Sequence, residues 1–279
     1  MVARATLAFF VPSLFPCHSP RLSHSVNNLS TTLLDKQRNL WCIGDIHGCY
    51  DEFLSLLSKI EDLEGPGFLS RVVLVGDLVN KGPKSAEVVR FARENRLLSV
   101  RGNHDHSALL VSKGLKSVKS HQAANKYSWV NSLSSKDVGY LSSLPWTISA
   151  RVGGKDYTIV HAGIVPFVPL EDQRAEDMTT MRLVREAEGK VEGKQIGWEL
   201  TDDKVSGIPW GEVYEGEMGT VVFGHDAKRG LQQHPHAVGL DTGCVYGREI
   251  TAVRIGQGGR EFLSVKCQRE GGYAPIKQG

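Results

Sequence analysis

Residues 40–48 have the sequence LWCIGDIHG, a short apolar run that ends in a loop of polar residues. Such a run is typical of a buried strand, and apolar residues at helical spacing in 50–60, with acids in the first turn, predict a helix after it. The pattern then repeats, with strands predicted at 71–75 and 97–100 and a helix at 85–95 between them. This alternation predicts mainly parallel strands joined by right-handed crossovers.

The remainder of the chain is predicted to be helical first and then rich in short strands. Residues 105–145 have helical patterns, and strands are predicted at 146–152 and 156–160. The run 166–217 carries many charges with weak periodicity, which indicates loops and short helices. Short apolar runs separated by turns, as in an antiparallel sheet, follow at 220–223, 237–240, 250–254 and 262–265. We expect one α/β domain (α+β, four layers) with two mixed β-sheets packed as a sandwich and flanked by helices. Its pairing is expected to be parallel in the first half of the chain and antiparallel in the second.

The two ends of the chain differ in composition from the rest. Residues 1–34 contain no Asp or Glu, carry Arg4 and Arg21, and are rich in Ser and Pro. This composition suits an organellar transit peptide, a short secretory segment or a disordered leader. We expect residues 1–38 to be a disordered leader or targeting segment, 39–268 to be the folded domain, and 269–279 to be a disordered tail. The expected location is the cytoplasm, or an organelle if residues 1–34 act as a transit peptide.

The composition is that of a globular protein with a core of ordinary size. Of the 279 residues, 41% are hydrophobic and 23% are charged, and the net charge is +2. So small a charge gives no general polyanion-binding signature, and we expect no specific DNA binding and a monomer. No apolar stretch approaches the roughly 18 residues of a transmembrane helix, so we expect no stable membrane insertion. The five cysteines lack CxxC spacing, which predicts a reducing compartment and neither a disulfide framework nor a thiolate zinc site.

Six polar side chains follow closely after five of the predicted strands: Asp45, His47, Asp77, Asn103, His161 and His225. The carboxyl ends of strands in open α/β sheets are where ligands bind, so these side chains are expected at one rim. Carboxylate, amide and imidazole groups without thiolate suit Mn, Fe, Zn or Co. A lone histidine is more often structural, and an Asp after a strand is often a helix cap. The presence of all six residues in this order favours a metal site. Asp77 could bridge two ions about 3.5–4 Å apart, and such a pair of ions can act on a phosphoryl group.

These residues lie in motifs that resemble the phosphoprotein-phosphatase branch of the calcineurin-like metallophosphoesterases. The motifs are GDIHG (44–48), GDLVNKG (76–82), RGNHD (101–105), HAG (161–163) and GH (224–225), and the resemblance covers 41–265. Within that branch the chain is most similar to the ApaH-like phosphatases, relatives of bacterial symmetrical bis(5′-nucleosyl)-tetraphosphatase. The segments 181–182, 224–227 and 240–247 carry this finer likeness.

The resemblance implies a metallophosphoesterase-like fold and two divalent metal ions, which could be Mn, Zn, Co or Fe. A hydroxide bridging the metals would attack phosphoanhydride bonds of dinucleoside polyphosphates, polyphosphate or a nucleotide cap. Asp45 and His47 would hold the first metal, and Asp77 would bridge to the second. The second site would be completed by Asn103, His161 and His225.

The resemblance also implies how the other motif residues act. His104 would be the general acid that protonates the leaving oxygen, a contribution typically of about 10²–10⁴-fold. Arg101 and Arg182 would clamp phosphate with their guanidinium groups.

Residues 80–81 depart from the motif of the protein phosphatases, which have Asp-Arg where this chain has Asn80-Lys81. That Asp normally orients the acid histidine, so either Asn80 or Asp105 would orient His104 here. Lys81 would bind phosphate as a point charge and not as a planar fork. Lys at this place is typical of the ApaH-like group, which counts against the alternative activity, a serine/threonine phosphoprotein phosphatase.

Two further features bear on the substrate, a small molecule or a polyanionic phosphate. Residues 106–136 contain five lysines and no acid, which form either a positive wall beside the metals or a solvated helical face. Trp129 and Trp210 either stack on a nucleobase or belong to the core. A binding module without enzymatic activity is a third hypothesis, and the complete ligand set argues against it.

Overall fold

The computed structural model describes residues 39–117, 125–187, 190–191, 194–195, 197–268 and 271–274. The predicted leader, 1–38, and most of the predicted tail, 269–279, lie outside these residues. Within the described ranges, no helix is both long and apolar enough to span a membrane.

The regular elements confirm the predicted alternation of strands and helices in the first part of the chain. The strands are β1 (Asn39–Ile43), β2 (Val72–Leu74), β3 (Leu98–Ser99), β4 (Thr147–Val152), β5 (Lys155–Val160), β6 (Leu183–Glu186), β7 (Lys190–Val191), β8 (Lys194–Gln195), β9 (Trp198–Thr201), β10 (Ile208–Pro209), β11 (Thr220–Phe223), β12 (Gln232–Gln233), β13 (Ala237–Gly239), β14 (Glu249–Gly256) and β15 (Glu261–Lys266). The α-helices are α1 (Tyr50–Glu64), α2 (Ser85–Glu94), α3 (Asn103–Ser112), α4 (Ser135–Ser143), α5 (Ala175–Thr180) and α6 (Trp210–Val213). Short 3-10 helices span Phe68–Arg71, Ser128–Ser132, Leu170–Asp172 and Cys244–Tyr246.

Two five-stranded sheets form the body of the domain, and both are mixed. The first has the order β15-β14-β1-β2-β3, with β1, β2 and β3 parallel and with β14 and β15 added antiparallel at one side. The second has the order β12-β13-β11-β5-β4, with a parallel centre of β13, β11 and β5 and antiparallel edges. The predicted pair of mixed sheets is therefore confirmed.

The predicted split into a parallel first half and an antiparallel second half is wrong. Strands β11 and β13, in the second half, run parallel to each other and to β5. The first sheet in turn takes β14 and β15 from the end of the chain. Short apolar runs show where strands lie but not which strand each one pairs with, because pairing depends on contacts between distant segments.

The region 166–217 also differs from the prediction of loops and short helices. It contains the short helix α5, but also a small three-stranded sheet in the order β10-β6-β9 and the strand pair β7–β8. In β6, Leu183 and Val184 are buried and the next two residues are exposed. This strand therefore has no two-residue alternation, which is the pattern that would have revealed it.

Four layers follow from the way strand β1 is buried on both faces. Leu40 and Cys42 lie in the cluster between the sheets, against residues such as Ile148 and Ile159 of the second sheet. Trp41 and Ile43 lie on the other face, in a cluster shared with helices α1 and α2. Burial on both faces explains the unbroken apolar run. A third cluster covers the outer face of the second sheet with residues of α5 and α6.

One disulfide joins Cys244 to Cys267, whereas Cys42 and Cys49 are free and buried. The sequence predicted no disulfide framework, and this single pair was not foreseen. The two cysteines are 23 residues apart, and the antiparallel pairing of β14 with β15 brings them together. The odd number of cysteines and their spacing could not reveal a pair made by a hairpin.

Candidate active site

The six predicted metal ligands come from both sheets. Asp45 and His47 follow β1, Asp77 follows β2, and Asn103 begins α3 after β3. From the second sheet, His161 follows β5 and His225 follows β11. These are the parallel strands of the two sheets, and their carboxyl ends meet at one rim, as such ends do in open α/β folds.

Asp77 lies at the centre of this group. Its Oδ2 atom is 3.5 Å from His47 Nε2, and its Oδ1 atom is 3.4 Å from His161 Nε2. Oδ1 also accepts a hydrogen bond from the backbone N–H of His104 at 2.8 Å. Asp77 belongs to two groups of candidate metal ligands, and within each group the ligand atoms lie within 4.8 Å of one another. The first group contains His47 and His104, and the second contains His161 and His225. One carboxylate thus faces both halves of the site.

Asp45 offers an unpaired carboxylate oxygen to the same centre. Its Oδ1 accepts from the backbone N–H of His225 at 3.0 Å, and its Oδ2 lies 3.7 Å from His47 Nε2. Oδ2 is buried and has no hydrogen-bond partner among the described residues. A buried carboxylate oxygen without a partner is costly unless a cation neutralises it. This orphaned oxygen and the Asp, Asn and His donors fit a divalent metal ion.

Backbone carbonyl groups orient two of the histidines. Nδ1 of His47 lies 3.0 Å from the carbonyl oxygen of Val79, and Nδ1 of His161 lies 2.9 Å from that of Val75. A ring that donates from Nδ1 has Nε2 free as a ligand, which is how metal-binding histidines are commonly held. Nε2 of His161 is also 3.2 Å from Asn103 Oδ1.

Several buried carboxylates lie close together in this site, and they shift the pKa values of the neighbouring groups. Burial and the charges of Asp241 and Asp77 hold the pKa of Asp45 well above its ordinary value. Burial opposes the charge on His161, yet the neighbouring Asp77 and Asp45 raise its pKa to about 10. Burial and Lys81 hold the pKa of His47 well below its ordinary value. Asp241, buried after β13, is a member of this group that the sequence interpretation gave no role.

The loops that carry these residues contain strained backbone. Positive φ angles occur at His47 (47°), Asp77 (49°), Asn80 (69°), Lys81 (70°) and His225 (68°). Such conformations cost on the order of 1–3 kcal/mol each in non-glycine residues and persist where the surroundings fix them, often at functional sites.

Glycines allow the closest approaches between these loops. A Cβ atom on Gly102 would overlap Asp77, and one on Gly224 would overlap Asp45 Oδ1. The glycines of the RGNHD and GH motifs are therefore needed for packing against the two ligand carboxylates.

His104 contacts Asn80, and Asp105 does not orient its ring. Nδ2 of Asn80 lies 3.3 Å from His104 Nδ1. Asp105 instead accepts hydrogen bonds from the backbone N–H groups of Leu78 and Gly102 at 3.0 and 2.9 Å, so it ties two site loops together. Burial lowers the pKa of His104 to about 4, and burial together with Asp77 raises that of Asp105 to about 7.

The predicted phosphate-binding residues take up different places. The Arg182 side chain is 45% exposed, with its guanidinium 3.4 Å from the carbonyl oxygen of His225 and 3.8 Å from Asp226. Arg101 lies over the ring of Trp146 at 4.7 Å and donates to the carbonyl group of Ser142 at 2.8 Å. Arg182 is thus at the rim, while Arg101 packs beside the end of α4.

Lys81 lies among the candidate metal ligands. Its Nζ atom is 2.8 Å from His47 Nε2 and 5.3 Å from the centre of the Tyr246 ring. His47 Nε2 cannot hold a metal and make this hydrogen bond at the same time, so metal binding by His47 would require Lys81 to turn away.

The two tryptophans differ in role. Trp210 is 2% exposed and donates to the carbonyl group of Ala162, so it belongs to the core. Trp129 is half-buried and donates to Asn80 Oδ1 at 3.0 Å. Of the lysines in 106–136, Lys119 lies outside the described residues, and Lys113 and Lys116 contact Ser142 and Ser107.

Residues 38–233 match the profile of the calcineurin-like phosphoesterases. This chain therefore belongs to the calcineurin-like phosphoesterase family, and it is a hydrolase of phosphate esters or anhydrides whose family works with divalent metal ions.

The relatives identify the branch. A Methylobacillus flagellatus protein named symmetrical bis(5′-nucleosyl)-tetraphosphatase is 30% identical in an alignment that covers 85% of this chain and 98% of the relative. A protein of the same name from Nitrosococcus oceani is 30% identical, with 85% and 99% covered. The crystal structure of a protein provisionally called a diadenosine tetraphosphatase superposes with a TM-score of 0.70 at 34% identity, covering 85% of this chain and 96% of that one. The resemblance predicted from the motifs is confirmed.

Proposed function

We propose that this protein hydrolyses phosphoanhydride bonds of nucleoside polyphosphates, with dinucleoside tetraphosphates as the leading substrates and polyphosphate or a nucleotide cap as further ones. The observation that carries the proposal is the position of Asp77, whose two carboxylate oxygens face His47 and His161 at 3.5 and 3.4 Å. A shared carboxylate of this kind suits a two-metal centre for phosphoryl transfer. The names of the relatives support the choice of substrate.

Two divalent ions would divide the ligands between them. Asp45, His47 and Asp77 would hold one, and the other would be held by Asp77, Asn103, His161 and His225. Mn, Zn, Co and Fe all suit these donors. Such ions would polarise the phosphoryl oxygens and make water a stronger nucleophile.

The other residues of the site would act on the substrate. The exposed guanidinium of Arg182 would bind phosphate oxygens, and Lys81 would add a positive charge after leaving His47. His104 would face the leaving oxygen through Nε2, because Nδ1 faces Asn80. A monomeric state, and a location in the cytoplasm or in an organelle reached through residues 1–34, remain predictions.

The test is a substrate comparison with the full chain. Purified protein is incubated with Mn²⁺, Co²⁺ or Zn²⁺ and with diadenosine tetraphosphate, long-chain polyphosphate, capped RNA or a phosphoserine peptide. We expect cation-dependent hydrolysis of the anhydrides, two ADP from each diadenosine tetraphosphate, and loss of activity with EDTA. Turnover of the phosphopeptide alone would overturn the proposal in favour of a protein phosphatase. Turnover of no substrate with any of these cations would favour a binding module.

A further inference from the structure

A hydrogen-bonded chain runs from Trp129 through Asn80 to His104. The indole N–H of Trp129 points at Asn80 Oδ1 at 3.0 Å. On the other side of the amide, Asn80 Nδ2 lies 3.3 Å from His104 Nδ1 and 3.4 Å from the His104 carbonyl oxygen.

The chemistry of the indole decides which way the amide points. An indole N–H can only donate, so the Asn80 atom that it meets must be the carbonyl oxygen. The amide NH₂ then faces His104, where two acceptors are within reach. Asn80 is 1% exposed, and its backbone N–H donates to Ser85 Oγ at 2.9 Å, so the side chain has little freedom to turn over. A flipped amide would set two donors against each other at Trp129.

The amide in turn decides where His104 carries its proton. An NH₂ group facing Nδ1 requires that nitrogen to accept, so the ring hydrogen sits on Nε2. A carboxylate at position 80 would instead accept from Nδ1–H, so it would not select the same ring nitrogen as the proton carrier.

We propose that Trp129 is a positioning residue which, through Asn80, holds the His104 ring so that its Nε2–H faces the leaving oxygen. This inference rests on the proposed phosphoanhydride activity and deepens it by adding a positioning residue to the same site.

The hydrogen on Nε2 acts on the leaving group. An oxygen from water forms the new bond to phosphorus, the bond from phosphorus to the leaving oxygen breaks, and the leaving group takes the electron pair. A nucleotide phosphate is stable as that anion and needs only a hydrogen bond from Nε2–H, while the proton of water passes to solvent.

The decisive experiment is a double-mutant cycle of Trp129→Phe and Asn80→Asp. Trp129→Phe removes the N–H that selects the amide orientation, and we expect kcat on diadenosine tetraphosphate to fall about 5- to 30-fold with KM within about twofold, as expected when a contact to a catalytic group is lost. Asn80→Asp replaces the NH₂ group beside Nδ1 by an acceptor, so it should lower kcat as well. The two oxygens of a carboxylate are equivalent, so adding Trp129→Phe to Asn80→Asp should change kcat less than about twofold.

A matched control and a second readout separate positioning from packing. Trp198→Phe replaces another half-buried tryptophan, outside the site, and should leave kcat, KM and bound metal unchanged. Nitrogen-15 spectra of the histidine rings in the Zn²⁺-loaded protein should show the Nε2–H form for His104 in the wild type and a mixture in Trp129→Phe.

Several outcomes would overturn the proposal. One is an equal fall in kcat when Trp129→Phe is added to the wild type and to Asn80→Asp. Others are an effect of Trp129→Phe on KM alone, or a Trp129→Phe enzyme as active as Trp198→Phe. A wild-type His104 that carries its hydrogen on Nδ1 would also overturn the proposal. The nitrogen-15 spectra need no turnover, so they test the Trp129–Asn80 contact even if the proposed substrates are wrong. Hydrolysis of phosphopeptide alone by the wild type would refute the proposed function, and the spectra would then decide the role of the Trp129–Asn80 contact on their own.

Discussion

Replacing Asp77 by Asn removes one negative charge from the centre of the site and keeps the shape of the side chain. The carboxylate oxygens lie 3.5 Å from His47 Nε2 and 3.4 Å from His161 Nε2, so ions bound to those nitrogens would share Asp77. Two unit charges about 3.5 Å apart interact by about 5 kcal/mol at an effective dielectric constant of about 20. We therefore expect Asp77→Asn to weaken metal binding by at least about 10³-fold, and hydrolysis to be lost with it.

The assay measures metal and turnover on the same samples. Each protein is dialysed against Mn²⁺ or Zn²⁺, bound metal per chain is determined by mass spectrometry, and phosphoanhydride hydrolysis is followed in parallel. Asp137→Asn is the matched control, because Asp137 is also a buried carboxylate but pairs with Arg93 at 2.8 Å, outside the site. The control should lose stability and keep its metal. Circular dichroism in EDTA checks that both variants fold. Full metal content with wild-type turnover in Asp77→Asn would refute the shared role of this carboxylate.

Three further predictions concern the acid group, a buried ion network and the disulfide. His104→Asn should keep its bound metal and lose about 10²–10⁴-fold in kcat; metal analysis with steady-state kinetics checks this, and loss of metal would make His104 a ligand. Burial alone would raise the pKa of Glu64, but hydrogen bonds from Trp41, Arg71 and Arg254 lower it below its ordinary value. The lowered pKa means that Glu64 stabilises the fold above the unfolded-state pKa of about 4.3 and that this contribution is lost as pH falls through the folded-state value. Glu64→Gln should therefore lower the free energy of unfolding by about 1–3 kcal/mol at neutral pH and by much less in acid; equal losses at both pH values in urea unfolding would contradict the reasoning. The double replacement of Cys244 and Cys267 by Ser should cost about 3 kcal/mol, since it removes a link between residues 23 positions apart; unfolding in urea that matches the wild type under oxidising conditions would argue against the bridge.

Much of the candidate site could be predicted from the sequence, because its candidate ligands follow strands at short distances. Asp45 comes two residues after the apolar strand β1, and Asp77 comes three residues after β2. A strand buried on both faces has a continuous apolar pattern, so its end is visible in the sequence. The carboxyl ends of parallel strands share an edge, and the convergence of these residues follows from that rule.

Other features depend on contacts between segments that are far apart in the chain. The pairing of β11 with β5 and β13, the small sheet around β6, and the disulfide between Cys244 and Cys267 all needed the folded structure. No local pattern records which strand lies beside which, because short strands take their partners from packing and from the layers around them.

The contacts that surround the candidate catalytic side chains also join segments that are far apart in the chain. The resemblance to the phosphatases indicated that Asn80 stands where they have Asp, and the sequence placed His104 directly after Asn103. Trp129 lies 49 positions from Asn80, and Arg101 stacks on Trp146, 45 positions further along the chain. The local sequence therefore determined which side chains lie in the candidate site. Only the tertiary structure determined how they are oriented, because hydrogen bonds between distant loops form only after the sheets have packed.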